Sequence, residues 1–199
     1  MPSRRVVALL LASTALLALS GCTTSAPRPD DTPAVTAPQA DISGEWVVTR
    51  TVTESNDPTN PSRAVGATSV RYVLVDREDC GAALCDGTVS SGATLESREE
   101  TPLTQTDGGF DYAFTGSLDC MNAATGGVLV VGGFSYEQTA TLAVGETTEV
   151  DGGPVAATLT GTITYTDTIT AKAAENGCTR DPVAVDVTYA VAATRTPAG

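Results

Sequence analysis

The chain has 199 residues, of which 24 are acidic and 11 basic, and its formal net charge is −13. So negative a chain lacks the basic patch that nucleic-acid phosphates require, and it disfavours flat docking on anionic lipid. No histidine is present, which excludes Ser-His-Asp and Cys-His catalysis and the usual zinc centres of hydrolases. We therefore expect no nucleic-acid partner, no catalytic residue and no metal site, and a protein that is not an enzyme.

The chain begins with a stretch typical of an export signal. Arg4 and Arg5 precede an almost wholly apolar run, residues 6–19, and small residues follow it. A charged start, a short apolar core and a small-residue end are the three parts of a secretory signal. The apolar run is shorter than the about 20 residues that a transmembrane helix needs. We expect residues 1–21 to be removed as a signal peptide.

The signal ends in Leu19-Ser20-Gly21-Cys22, which resembles the lipobox of bacterial lipoprotein precursors. The resemblance implies that the Cys22 thiol receives a diacylglycerol group and that cleavage falls before Cys22. An N-acyl chain such as palmitate is left open, and apart from these lipids no cofactor is expected. Because two acyl chains give stable anchoring, the resemblance predicts a protein at the cell membrane, on its extracytoplasmic face. An ordinary secretory signal with a chance cysteine is the alternative.

Residues 22–41 are expected to form a tether between the lipid and a folded domain. Four prolines interrupt small and polar residues there, with no apolar period: Pro27, Pro29, Pro33 and Pro38. This composition is typical of a solvated, semi-extended linker. The remaining residues, 42–199, have the length of a single domain.

The expected domain has a hydrophobic period of two, as half-buried strands do. The alternating runs cover residues 46–53, 69–76, 87–95, 99–106, 110–118, 134–144, 158–170 and 183–195. Turn signals rich in glycine separate them, and no stretch has convincing helical periodicity. The pattern predicts an all-β, antiparallel domain of about eight strands, which could be a closed barrel or a two-sheet sandwich.

The first run opens with Gly44-Glu45-Trp46, which resembles the Gly-x-Trp signature of lipocalins and related calycin barrels. In that superfamily the tryptophan packs against an arginine from the far end of the strand order. Arg195, in the last run, is in phase with the inward residues and is the expected partner of Trp46. The resemblance thus favours a barrel over a two-sheet sandwich and implies a lipocalin-like barrel that closes at these two residues. A plain core anchor is the alternative for Trp46.

Four cysteines lie in the expected domain, Cys80, Cys85, Cys120 and Cys178, and an even number in an exported chain predicts two disulfides. In an up-and-down meander, Cys80 and Cys85 lie at the pole where the tether enters, here called the near pole. Cys120 and Cys178 lie at the opposite, far pole. Because bridge geometry requires Cα atoms within about 7 Å, the predicted bonds are Cys80–Cys85 and Cys120–Cys178.

Two charged residues interrupt the inward-facing pattern, Arg50 in the first run and Asp167 in the seventh. Buried charges are costly unless they are paired. The two side chains are expected to pair with each other, or to mark a polar spot in a ligand cavity together with Gln138, Tyr165 and Tyr189. Exposure at a strand end is a third interpretation.

The longer irregular stretches, residues 54–67, 119–127 and 171–182, are predicted at the far pole, facing away from the membrane. Loops on a rigid β scaffold are where binding usually resides. The sequence therefore favours a non-catalytic binding or interaction module of the cell envelope, whose partner is an envelope protein or a glycan. A lipocalin-like carrier of a small apolar ligand is the second hypothesis, and an envelope enzyme is the least favoured.

Overall fold

The structure is a computed structural model that describes residues 39–77 and 87–197, in which there are ten strands and one short helix. The elements, in chain order, are β1 (Gly44–Ser55), β2 (Thr68–Asp76), β3 (Gly87–Gly92), β4 (Arg98–Thr106), β5 (Gly109–Met121), β6 (Val128–Val144), β7 (Thr147–Val150), β8 (Gly153–Ala156), β9 (Thr158–Ile169), α1 (Ala171–Glu175) and β10 (Ala184–Arg195).

Eight of the strands form a closed antiparallel barrel in the order β1-β10-β9-β6-β5-β4-β3-β2. Successive barrel strands pair with each other, and the ring closes where Trp46 of β1 lies opposite Arg195 of β10. The predicted all-β barrel is therefore confirmed. The structure departs from a pure meander at one place, because the separate β7–β8 hairpin is inserted between β6 and β9.

The two faces of β9 differ in burial, because apolar residues and threonines alternate along the strand. Leu159 and Ile163 face inward and are buried, whereas the threonines between them face outward. Thr164 lies opposite Thr139 of β6 and Thr188 of β10, and the hydroxyl oxygens of Thr139 and Thr164 are 2.6 Å apart. Threonine is a favourable exposed strand residue, so the outer face needs no further role.

The far pole is more ordered than the sequence predicts. β5 continues to Met121 and β6 begins at Val128. Of residues 119–127, which the sequence predicts to be irregular, only residues 122–127 form a turn between the two strands. The segment after β9 contains α1, a helix of five residues, whereas the sequence predicted none. Thr170 caps it by accepting a hydrogen bond from the amide of Ala173, which is fully buried. One helical turn is too short to produce a visible period, which is why the sequence pattern missed it.

The Cys120–Cys178 disulfide is present, with the two Cα atoms 6.4 Å apart, and this prediction is confirmed. It joins the end of β5 to the segment that follows α1. The two half-cystines pack with Val130 and Ala173 in a small core cluster of their own. Its 58-residue sequence separation corresponds to about 4 kcal/mol in the chain-entropy model of disulfide stabilisation. The predicted Cys80–Cys85 bond and the lipidation site Cys22 lie outside the described residues.

The near half of the barrel is filled by side chains that are almost completely buried. This group includes Trp46, Phe110, Leu142 and Leu159. Ile42 is also fully buried and covers the core at the near pole. Eight strands give a barrel just wide enough for side chains to fill, and this half is filled.

A segment that the sequence assigned to the tether helps to close the near pole. The Asp41 amide donates to the carbonyl of Pro154, and the Ala156 amide donates to the carbonyl of Asp41, each at 2.8 Å. Gln105 Nε2 donates to Gln39 Oε1 at 2.6 Å. Residues 39–41 therefore pack against the barrel and the β7–β8 hairpin, and they are part of the folded domain.

The expected contact between Trp46 and Arg195 is present at this pole. The Arg195 guanidinium lies 5.3 Å from the Trp46 ring centre and donates to the carbonyl of Asp41 at 2.9 Å. Trp46 Nε1 donates to the carbonyl of Ile42 at 3.0 Å. Gly44 has a φ of +114°, which favours glycine and lets the chain turn into β1. These contacts tie the entering segment to the strand pair that closes the barrel.

Asp41 completes this network at the near pole. Burial alone would raise its pKa, but hydrogen bonds from Ser43, followed by the charges of Arg195 and Arg77, lower the pKa of Asp41 overall. Its carboxylate oxygens lie 3.5 Å from Arg195 and 3.9 Å from Arg77.

Within the described ranges, no helix combines the length and apolar character that crossing a membrane takes.

Candidate functional site

The far half of the barrel contains a cavity of about 520 Å³. Ser62 and Arg63 of the β1–β2 loop and Ala93 and Ser97 of the β3–β4 loop contribute to its lining. Both loops lie at the far pole, so the cavity opens there, opposite the pole at which residues 39–43 enter.

The cavity begins where inward-facing residues change from apolar to polar. On β1 the buried Val48 is followed by Arg50 at the next inward position, and on β2 the buried Val73 is preceded by Arg71. Val48 and Arg71 lie opposite each other in the β1–β2 register. Because the change from apolar to polar residues occurs at similar heights on adjacent strands, the apolar core ends at one level of the barrel. The cavity lies on the far-pole side of that level.

Arg50 lies at the base of the cavity, and 7% of it is exposed. Its Nε and Nη2 groups both donate to Ser69 Oγ, and Nη1 donates to Gln138 Oε1, each at 3.3 Å. The guanidinium also lies 4.8 Å from the ring centre of Tyr189. All of these partners are neutral. The predicted alternative of an Arg50–Asp167 pair is wrong, because Asp167 binds other arginines.

Arg71 is a second arginine in the cavity lining, and sequence reasoning missed it. It is half-buried, and neither Arg71 nor Arg50 takes part in any ion pair among the described residues. Burial lowers the pKa of Arg50, and the positive charge of Arg71 lowers it further. The signal was available in the sequence, since Arg71 is in phase with Ser69, Val73 and Val75.

Aromatic rings form much of the remaining wall. Phe114, Tyr136, Tyr165 and Tyr189 line the cavity, and the Tyr136 and Tyr165 rings stack with their centres 5.9 Å apart. Tyr136 covers Gly116 of β5, where a Cβ atom would come within 2.7 Å of the ring. The predicted cavity residues Arg50, Gln138, Tyr165 and Tyr189 therefore meet in one site.

Asp167, also predicted in the cavity, lies outside its lining and is only 1% exposed. Its Oδ2 accepts from Arg63 Nη2 at 2.9 Å and from the Tyr165 hydroxyl at 3.0 Å, and the carboxylate also pairs with Arg180. Arg63 pairs in addition with Asp57 at 3.3 Å. Because Arg63 and Arg180 come from two different far-pole segments, Asp167 fastens both segments to the barrel rim.

Two tyrosines near the site are held in their neutral form. Burial raises the pKa of Tyr165, and the charge of Asp167 and the hydrogen bond to it raise it further. Tyr112 lies just below the cavity, where burial raises its pKa to about 12 although the charge of Arg50 partly opposes the change. Neither hydroxyl can act as a base near neutral pH.

Glu99 is the one carboxylate among the described lining residues. It lies on β4 and accepts a hydrogen bond from the Tyr136 hydroxyl at 2.8 Å. Burial, together with this hydrogen bond and the charge of Glu99, raises the pKa of Tyr136. Glu99 is exposed, so the acid lies towards the mouth of the cavity rather than at its base.

A second feature of the far pole is an apolar surface on the β5–β6 hairpin, here called the hairpin surface. Its exposed side chains are Leu118, Met121, Val128, Leu129 and Val131. Val131 is 74% exposed, which is unusual for a valine in a strand. The Cys120–Cys178 disulfide fixes this hairpin to the segment after α1.

The described residues contain no group of three His, Cys, Asp or Glu side chains that could hold a metal ion. A comparison with protein-family models, with curated proteins and with solved structures finds no match to this chain. The lipobox and the calycin resemblance stay predictions.

Proposed function

We propose that the protein is a lipid-anchored, extracytoplasmic binding protein that holds a small molecule in the far-pole cavity and does not catalyse a reaction. The observation that carries the proposal is the contrast within one barrel. An eight-stranded barrel can fill its interior with side chains, as the near half does, yet the far half leaves about 520 Å³ open. A volume of this size lies within the range of small-molecule sites.

The lining supports the same proposal. Ligand sites combine aromatic and apolar walls with a few polar groups that fix orientation. Phe114 and Tyr189 supply such walls, and Arg50, Gln138 and Ser69 supply a hydrogen-bonded polar base. These hydrogen bonds hold the polar groups at the base of the cavity in place before a ligand binds, which lowers the entropic cost of binding.

The direction of the opening agrees with an anchor at Cys22. Residues 39–43 enter at the near pole, and the cavity opens at the far pole. A domain tethered through its N-terminal segment would therefore present the cavity away from the membrane. Cys22→Ala should move the protein from the membrane fraction to the soluble fraction, and retention of the variant in the membrane would contradict the anchor.

Native mass spectrometry of the whole protein, purified from its own envelope in a mild detergent, tests the binding proposal. We expect a bound mass that is lost on denaturation. Ser91→Trp would fill the cavity from β3 and should abolish that mass, whereas Ser90→Trp, one residue away on the outer face, should retain it. A bare wild-type protein, or a bound mass that survives Ser91→Trp, would contradict binding in the cavity.

An interaction module that docks a protein through the hairpin surface is the second candidate. The observation that favours it is the concentration of exposed apolar side chains on one hairpin, because such patches commonly mark interaction sites. Val131→Thr would weaken this interaction and leave a ligand in the cavity unaffected, so the two candidates are separable by one variant.

A further inference from the structure

We infer that the cavity takes a small amphipathic anion, whose carboxylate, sulfonate or phosphate group lies between Arg50 and Arg71 and whose apolar body lies against Phe114, Tyr165 and Tyr189. The inference rests on the proposed function, since it names the chemical class of the ligand that the far-pole cavity would hold.

Arg50 carries a charge without a counter-charge. It is 7% exposed, and its three hydrogen bonds go to neutral oxygens of Ser69 and Gln138. A guanidinium has five N–H donors, so two remain without a partner among the described residues. Buried charges are normally paired, because an unpaired charge loses its solvation by water without compensation. An anion in the cavity supplies both the missing charge and the missing acceptors.

Two like charges, those of Arg50 and Arg71, line the same cavity. Arg71 lines the cavity on the neighbouring strand and, like Arg50, forms no ion pair within the described chain. Its charge acts on Arg50 strongly enough to add to the lowering of the Arg50 pKa that burial causes. Two guanidiniums repel each other when the cavity holds only water. An anionic group between them converts that repulsion into two charge-assisted interactions, for which the planar guanidinium is well suited.

The other charged groups of the lining already have partners, so the anion has one place to bind. Arg63 is paired with Asp57 and Asp167. Glu99 accepts the Tyr136 hydroxyl and lies towards the mouth. An anionic group is therefore directed past Glu99 to the base of the cavity, where Arg50 and Arg71 concentrate the positive charge.

The walls decide what the rest of the ligand is. The Arg50 guanidinium lies on the Tyr189 ring, and Phe114 and Tyr165 continue an aromatic surface above it. A ligand that was charged throughout would leave these rings in contact with polar groups. A wholly apolar ligand would remove water from both guanidiniums without replacing it, so the amphipathic anion satisfies both parts of the lining.

The test uses the whole lipidated protein in nanodiscs and isothermal titration calorimetry, with empty nanodiscs as the blank. The probes are 2-naphthoate and its uncharged analogue 2-naphthamide, which have nearly the same shape. We expect naphthoate to bind at least about tenfold more tightly than naphthamide, as charge-assisted hydrogen bonds imply. Titrations with 2-naphthalenesulfonate and 2-naphthyl phosphate then show which anionic group the two arginines prefer.

Variants assign the effect to the two arginines. Arg50→Gln and Arg71→Gln should each weaken naphthoate binding about tenfold or more and change naphthamide binding less than about threefold. Arg50→Lys keeps the charge but loses the planar fork, and should bind naphthoate with intermediate affinity. Arg98→Gln removes a partly exposed arginine that pairs with Glu45 outside the cavity, and should leave both affinities unchanged. Circular dichroism melts confirm that each variant is folded.

The outcomes distinguish the anion inference from small-molecule binding itself. Equal affinity for naphthoate and naphthamide in the wild type would overturn the anion inference and leave small-molecule binding in place. The same conclusion would follow if Arg50→Gln weakened both probes equally. If neither probe bound the wild type, the anion inference would fail, whereas the proposed function would fail only if the native mass spectrum of the wild type showed no bound mass.

Discussion

The near and far halves of the barrel interior are built on the same eight strands and differ in what faces inward. On β5, Phe110 is fully buried in the near half, whereas Phe114, two inward positions further along, borders the cavity. On β1, Trp46 and Val48 are followed by Arg50. The backbone pairing continues through both halves, so the difference lies in the side chains. The near half therefore contributes most to stability, while the far half is free to hold polar groups for binding.

The largest expected effect comes from truncating one phenylalanine in each half of β5. Phe110→Ala should lower the free energy of unfolding by about 3–5 kcal/mol, because a close-packed core cannot refill the space. Phe114→Ala should cost clearly less, because its ring already borders open space and makes fewer contacts. Urea denaturation of the two variants, with the disulfide intact, measures both values. Equal losses would mean that the far half is packed as tightly as the near half.

Alkaline pH sharpens the comparison at the boundary between the halves, where Tyr112 lies. Its pKa is raised from 10.0 to about 12 in the folded state, so the folded protein holds the hydroxyl proton more tightly than the unfolded chain. The stabilisation is complete below pH 10 and is lost as the pH rises towards about 12. A shift of this size corresponds to roughly 3 kcal/mol. Denaturant melts between these pH values should show the loss.

Tyr112→Phe is the matched control for that pH dependence. Because the variant has no hydroxyl to ionise, its stability should fall less steeply over the same pH range. Tyr165 also has a raised pKa and contributes a dependence of the same sign, so Tyr112→Phe should flatten the curve without abolishing it. An unchanged curve would show that Tyr112 is not the buried group that titrates.

The smallest expected effect is a gain in stability from the base of the cavity. Arg50→Met removes a buried charge that lacks a counter-charge and keeps much of the side-chain volume, so we expect the ligand-free protein to gain about 1 kcal/mol. The thermal midpoint of the apo protein measures the change. Val48→Met, one inward position nearer the core, should instead lose stability by overpacking. A marked destabilisation in Arg50→Met would show that Arg50 is structural.

The preference for a barrel over a sandwich came from the calycin resemblance at Gly44 and Trp46. The period-two pattern was enough to predict the antiparallel strands, because most of them are long and alternate clearly. It was also enough to bring Arg50, Gln138, Tyr165 and Tyr189 to one region, since inward parity is preserved along paired strands. The Cys120–Cys178 bond followed from the same parity. Each of these predictions depends on regular geometry that repeats along the chain.

The features that sequence reasoning missed depend on short elements or on contacts between distant loops. β7 and β8 have four residues each, and all of β7 is exposed, so no hydrophobic alternation marks the hairpin. The partners of Asp167 are Arg63 and Arg180, which lie in irregular segments where strand parity has no meaning. Arg71 is different, because its inward phase was visible and only its significance was overlooked.

The pairing of β1 with β10 has a consequence for the order in which the chain can fold. The first and last strands of the barrel are neighbours, so each barrel strand between them can pair with the barrel strand that precedes it, but the ring stays open until β10 pairs with β1. Until β10 is available, β1 keeps one edge free to pair with other chains, and Arg195 is missing from the Trp46 ring. Such non-local pairing is slow. Barrel closure is thus a late event in folding, because it requires the pairing of the first barrel strand with the last.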